Sequence, residues 1–238
     1  MSIQTRHIEY RVGDTTLEGY LAVDSTTTPR PAVMVAHAFS GRGEFECERA
    51  RQLAAMGYVG FALDVYGKGL LGRNVDESMA LMSPLLDDRS LLLTRMLAGL
   101  DALRLQTEVD AARVAAIGYC FGGLCVLDLA RGGSDVRGVA SFHGMLDPPT
   151  SATPATIAAK ILVLHGWSDP MVPPQDVVNL GVELTNAQAD WQIHGYGGTM
   201  HGFANPAAKG VVPGVQYDAR AERRSWQAVG NFLEESFA

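Results

Sequence analysis

Ala116-Ile117-Gly118-Tyr119-Cys120-Phe121-Gly122-Gly123 is the stretch on which the fold turns. A continuous apolar run, residues 114–117, leads into it, and such runs suit a strand buried on both faces. A short apolar helix, residues 121–130, leads out of it. Strand therefore passes to helix through one sharp turn centred on Cys120. Gly118 and Gly122 give that turn room. The pattern has the G-x-S-x-G shape with Cys in the serine position. A turn this sharp strains its central residue and lifts the side chain clear of the sheet. It also sets Cys120 at a helix N-terminus, where the dipole and the N–H groups favour a thiolate and later an oxyanion. Cys120 thus reads as a nucleophile. Cys125, on the same helix, reads as buried filler.

Working outward, strand and helix patterns alternate. Residues 8–12 and 17–23 read as two strands joined by a Gly13-Asp14 turn, and residues 25–31 as a Thr/Pro-rich loop. Residues 32–36 form a buried strand, 44–56 a helix ended by Gly57, and 59–63 a second buried strand, followed by a loop over 64–73. A longer helical stretch follows, with a break expected at Pro84 and a stripe of Leu93, Met96, Leu97, Leu100 and Leu103. After the Cys120 turn come strands at 136–142 and 161–164, a helix at 173–187, a strand at 191–196 and a last helix striped by Trp226, Val229 and Leu233. This order argues for one α/β domain spanning residues 1–238, its mostly parallel sheet covered by helices on both faces. In such sheets chemistry gathers at the carboxyl ends of the strands.

Two later residues occupy such ends in the order the chemistry needs. Asp169 follows the 161–164 strand in Leu162-Val163-Leu164-His165-Gly166-Trp167-Ser168-Asp169-Pro170. His201 follows the 191–196 strand in Tyr196-Gly197-Gly198-Thr199-Met200-His201-Gly202-Phe203. Nucleophile, acid, base is the chain order of α/β-hydrolases. The imidazole takes the proton of the nucleophile and returns it to the leaving group, and the carboxylate fixes the tautomer. His165 sits too early and reads as a buried, hydrogen-bonded residue. His194 reads as structural or surface, Asp147 as an alternative acid, and Asp64 as a turn cap. The oxyanion hole calls for two backbone N–H groups. One is that of Phe121, and the other comes from the His37-Ala38-Phe39-Ser40-Gly41 loop, with Phe39 the first choice and Ala38 the second.

Composition narrows the partners. The chain of 238 residues is 47% apolar and 19% charged, with net charge -7, which argues against a nucleic-acid binder. No run approaches the roughly 18 to 20 apolar residues of a membrane span, and the polar start lacks a secretory signal, so a cytoplasmic protein is expected. Three cysteines form no disulfide framework. No CxxC or HxxxH spacing suggests a metal site.

The His37–Gly41 loop, Leu63-Asp64-Val65-Tyr66-Gly67, the Cys120 turn, Phe142-His143-Gly144 and the Asp169 and His201 segments together resemble the dienelactone hydrolase family (carboxymethylenebutenolidase-like) over nearly the whole chain. The resemblance implies a compact α/β-hydrolase fold with no large lid, no cofactor, and Cys120, Asp169 and His201 as the triad. The matched positions also make Ala38, Arg89, His143 and Trp167 candidate substrate contacts. The family commonly carries Glu, which helps to activate the resting cysteine, where this chain has Ala38. Either Cys120 relies on His201 alone, or Glu44 or Glu46 substitutes. An Arg that holds the carboxylate of dienelactone corresponds here to Asn205. The expected activity is hydrolysis of a small ester, lactone or thioester through an acyl-cysteine, by a monomer or homodimer that binds neither nucleic acid nor membrane. Acyl transfer or peptidase chemistry on the same triad, a non-catalytic binding protein that keeps the pocket, and a redox-sensing thiol are the alternatives.

Overall fold

A backbone that alternates buried strands with helices needs glycine wherever the layers touch most closely, and Gly60 shows this at the first helix. A Cβ there would lie 2.1 Å from the carbonyl oxygen of Ala50, so helix α1 (Glu44–Ala55) rests directly on strand β4 (Val59–Leu63). The computed structural model describes residues 2–25, 28–150 and 156–238. Residues 26 and 27 of the expected Thr/Pro-rich loop lie outside them. The chain divides into two compact units, Met1–Ala116 and Ile117–Ala238.

In the first unit, β1 (Ile3–Val12) and β2 (Thr15–Asp24) form an antiparallel hairpin across Gly13-Asp14. Gly13 takes a φ of 55° there, which glycine adopts without steric cost. β2 pairs antiparallel with β4, and β3 (Arg30–Ala36) pairs parallel with it. The order is β1-β2-β4-β3, then β5 (Val109–Tyr119), which carries the chain into the second unit. β1 starts five residues earlier than its apolar pattern indicates, because Ile3 to His7 are recruited by pairing with Tyr20 to Asp24.

Helices α2 (Val75–Asp87) and α3 (Arg89–Arg104) correct two expectations. The break does not fall at Pro84, which lies inside α2. It falls at Asp88, whose side chain accepts the Leu91 N–H at 2.9 Å and so starts α3. Proline in the last turn removes one backbone bond, whereas an Asp cap satisfies a donor of the next helix. The buried stripe of α3 is Leu92, Met96, Leu100 and Leu103. Leu97 is exposed and Leu93 only half-buried.

The second unit runs α4 (Phe121–Arg131), β6 (Gly138–Phe142), β7 (Lys160–Gly166), α5 (Pro174–Asn186), β8 (Trp191–Tyr196) and α6 (Ala219–Phe237), with strand order β5-β6-β7-β8. β6 and β7 are parallel, as are β7 and β8. Buried Arg131 ties three pieces together. It donates to Glu183 on α5 at 2.8 Å, to Asp128 on its own helix at 3.3 Å and to the Leu146 carbonyl after β6 at 2.9 Å. The buried face of α6 is Ala221, Ser225, Val229, Phe232, Leu233 and Ser236, with Trp226 half-buried at its margin. The sheet is mostly parallel, as expected. Among the described residues no helix is long and apolar enough to cross a membrane.

Candidate active site

Cys120 ends β5 and caps α4 with φ 55° and ψ -116°. A non-glycine residue in that region is strained. The strain is held by close packing on both sides. A Cβ on Gly118 would lie 2.0 Å from the Gly122 carbonyl oxygen, and one on Gly123 would lie 2.6 Å from Gly144 Cα. The Cys120 N–H donates to the Phe142 carbonyl at 3.0 Å, which ties the turn to β6. Cys120 is a partly exposed free thiol, whereas Cys47 and Cys125 are buried.

Asp169 and His201 are brought together by two loops that run backbone to backbone. Ser168 N–H donates to the Thr199 carbonyl at 2.9 Å. A Cβ on Gly166 would lie 2.6 Å from the Met200 carbonyl oxygen, so only glycine permits the approach. His201 is anchored on its far side, where its N–H donates to Gly214 O at 3.0 Å and its carbonyl accepts Gln216 N–H at 2.9 Å. Asp169 Oδ1 accepts Met171 N–H at 2.8 Å and Val172 N–H at 3.3 Å. Its Oδ2 accepts His201 Nδ1–H at 2.7 Å, with both side chains buried. Burial pushes the His201 imidazole down, but the Asp169 hydrogen bond and the nearby Cys120 outweigh it and raise the pKa to about 10. Nε2 has no strict hydrogen-bond partner among the described residues, although Cys120 lies close enough to stabilise the charged ring. Imidazole and carboxylate are thus hydrogen-bonded with a cysteine beside the ring, an arrangement that nucleophilic catalysis can use.

Two further histidines adjoin this site. His143 is buried at φ 37°, its ring 5.0 Å from that of His201. Burial, and then the charge of His201, hold it well below the usual imidazole range. Its 2% exposure leaves little surface for the substrate contact expected of it. His165 is buried as expected, but its Nε2 finds no partner among the described residues. Trp167 stands edge-on to His165 at 6.2 Å and is 47% exposed, so it does offer an apolar surface beside the acid loop.

In the first unit, His37 Nδ1–H donates to Ala38 O at 2.7 Å, and Nε2 accepts Val65 N–H at 3.3 Å. Ala38 N–H donates to Glu46 Oε1 at 3.3 Å, and Gly43 N–H to Glu46 Oε2 at 2.8 Å. Glu46 is buried, while Glu44 is exposed and pairs with Arg51. Of the two acids left open by the sequence, Glu46 is therefore the interior one. The Phe39 carbonyl accepts the Tyr66 hydroxyl at 2.9 Å. Arg89 is the half-buried first residue of α3. Asn205 accepts Ala207 N–H at 2.9 Å and so caps a local turn. Asp64 caps a turn as expected, accepting Tyr66 N–H at 2.8 Å and Gly67 N–H at 3.1 Å. Among the described residues no three His, Cys, Asp or Glu side chains are grouped to hold a metal ion.

A family model described as the dienelactone hydrolase family matches residues 17–237. The chain belongs to that family. A solved structure called m3DLH shares 36% identity over 99% of each chain with a TM-score of 0.95. A dienelactone hydrolase-like promiscuous phosphotriesterase from metagenomic libraries shares 35% identity over the whole of both chains, with a TM-score of 0.96. An uncharacterised Caenorhabditis elegans protein is 40% identical over 156 residues, 64% of this chain and 98% of its own. Membership in the dienelactone hydrolase family carries the α/β-hydrolase fold and the class of hydrolase.

The sequence signal missed two supports of this family site. One is the strap from residue 208 to 217 that holds the His201 backbone. Its signal was Gly210 and Gly214 flanking Pro213, and both glycines take positive φ. The other is the Gly123–Gly144 contact, which brings together two glycines distant in sequence.

Proposed function

We propose that this protein hydrolyses a small carboxylic ester, lactone or thioester through an acyl-cysteine intermediate. The observation that carries the reading is the 2.7 Å hydrogen bond from buried His201 to Asp169, beside a cysteine strained into a strand-to-helix turn. In this reading His201 draws the Cys120 proton and the sulfur attacks the carbonyl carbon. The backbone amide of Phe121 holds the oxyanion. His201 then protonates the leaving oxygen or sulfur as the acyl group stays on Cys120. Water, deprotonated by His201, attacks the thioester and frees the carboxylic acid and the thiol. With Ala38 and Asn205 in place of the charged residues that the dienelactone enzymes carry, the substrate need not bear a carboxylate. Trp167 offers it an apolar contact instead.

Turnover of short p-nitrophenyl esters by the wild type and by Cys120→Ala tests this. The variant is expected to fall to near background, and equal rates in the two proteins would sink the proposal. A second reading is favoured by the full-length likeness to a promiscuous phosphotriesterase: the same sulfur attacking phosphorus in an aryl phosphotriester. Release of p-nitrophenol from a diethyl p-nitrophenyl phosphate that depends on Cys120 would support it.

A further inference from the structure

One dipeptide touches both members of the proposed nucleophile–base pair. The Phe142 carbonyl accepts the Cys120 N–H at 3.0 Å. The next residue, His143, lays its ring against that of His201, with centroids 5.0 Å apart and planes at 62°. The dipeptide is itself held. His143 N–H donates to the Leu164 carbonyl at 2.8 Å, and Gly144 packs on the first turn of α4 through Gly123. Phe203 backs the His143 ring at 5.1 Å, Tyr119 flanks it at 6.0 Å, and Tyr196 backs Phe203 at 5.4 Å.

His143 carries two local costs. Its φ of 37° lies in the left-handed region, which is unfavourable for any residue with a Cβ. Its buried ring has no well-formed hydrogen bond from either nitrogen among the described residues, only a weak contact with its own backbone, and a poorly paired buried polar group is destabilising. Strain and orphaned polar groups persist where their surroundings over-determine them, and they cluster at working sites.

We propose that His143 is a positioning residue: its ring fixes the plane of the His201 imidazole while its backbone segment fixes Cys120, so that base and nucleophile keep one spacing. This rests on the hydrolase reading of the triad. The titratable groups around His143 are His201 with Asp169 behind it, His165 on β7, Tyr119 at the end of β5, and Cys120 at the turn. Asp169 is committed to His201. A proton on His143 would therefore set a second buried cation beside the imidazolium without a carboxylate of its own, and the ring acts by shape and neutrality.

His143→Asn separates the ring from the backbone, since Asn tolerates positive φ. It is expected to lower kcat for a p-nitrophenyl ester about 10- to 100-fold with KM changed less than about threefold, as a small misplacement of reacting groups does. The midpoint pH for iodoacetamide alkylation of Cys120 should rise by about half a unit or more, because the imidazolium that stabilises the thiolate is no longer held beside it. His143→Phe restores a flat ring and should recover most of both losses. Phe203→Leu should show the same changes on a smaller scale. The proposal is overturned if Asn keeps the wild-type kcat and alkylation profile, or if Phe falls as far as Asn. Should His143→Asn show no cooperative thermal transition, an unchanged kcat and alkylation profile in Phe203→Leu overturns it. Alkylation needs no substrate. A wild type that is inert to esters therefore counts against the hydrolase reading, and the positioning role is still decided on the thiol.

Discussion

His201 and His143 are two buried imidazoles in ring contact, and their surroundings push them in opposite directions. Burial disfavours the charged form of both. His201 has Asp169 at 2.7 Å and is lifted to about 10. His143 has no carboxylate and is held well below the usual range, with the charge of its neighbour pushing it further down. The Asp169 carboxylate, together with the nearby Cys120, thus favours a proton on His201 over one on His143. In the proposed mechanism the two rings would differ in the same sense: a charged one beside the sulfur, and a neutral one that packs against it without repulsion.

The largest break in this comparison comes from Asp169→Asn. It should lower kcat about 10³- to 10⁴-fold, as loss of the carboxylate does in triads of this kind. The His201 titration followed by NMR should drop toward that of a buried, unpaired imidazole. A drop of less than about tenfold in kcat would show that Asp169 does not orient the base. Gly166→Ala attacks the same pair through the backbone. Its Cβ would press on the Met200 and Thr199 carbonyls, so the two loops must separate, and kcat should fall up to about 100-fold. An unaltered kcat would mean that the loops are free to adjust.

Smaller effects are expected in stability. His201 has a folded pKa above its unfolded value, so its contribution is fully present below about pH 6.5 and is lost as pH rises toward about 10. Urea unfolding at pH 6, 8 and 10 should show wild-type stability declining over that range by up to a few kcal/mol, and His201→Gln should flatten the decline. His143, His37 and His165 have depressed folded values, so they oppose folding as pH falls below about 6.5. His143→Asn should make the acid-side loss between pH 6.5 and 5 shallower, and an unchanged slope would mean that His143 is protonated in the folded protein.

The candidate site was legible because the proposed chemistry calls for particular residue types at strand ends in a fixed order, and the two that the structure joins, Asp169 and His201, lie at such ends. The strands buried on both faces were legible for the same kind of reason, since a continuous apolar run has few other uses. The start of α3 was not, because Asp88 rather than Pro84 sets it, and that depends on a cap formed in three dimensions. Residues 3–7 of β1 were missed because pairing with β2, not their own apolarity, makes them strand. The sequence offered His143 as a substrate contact. Its burial, its left-handed backbone and its contact with His201 arise only when β6, β7 and the loop after β8 meet. Glu44 and Glu46 were equivalent in sequence, and exposure separates them.

The most direct test of the Cys120 chemistry is the mass of the enzyme during turnover. Acid-quenched samples of wild type with a p-nitrophenyl ester should carry one acyl group, on the peptide bearing Cys120, at a level that rises and then decays with substrate exhaustion. Ester turnover with no such adduct, together with undiminished activity in Cys120→Ala, would contradict it.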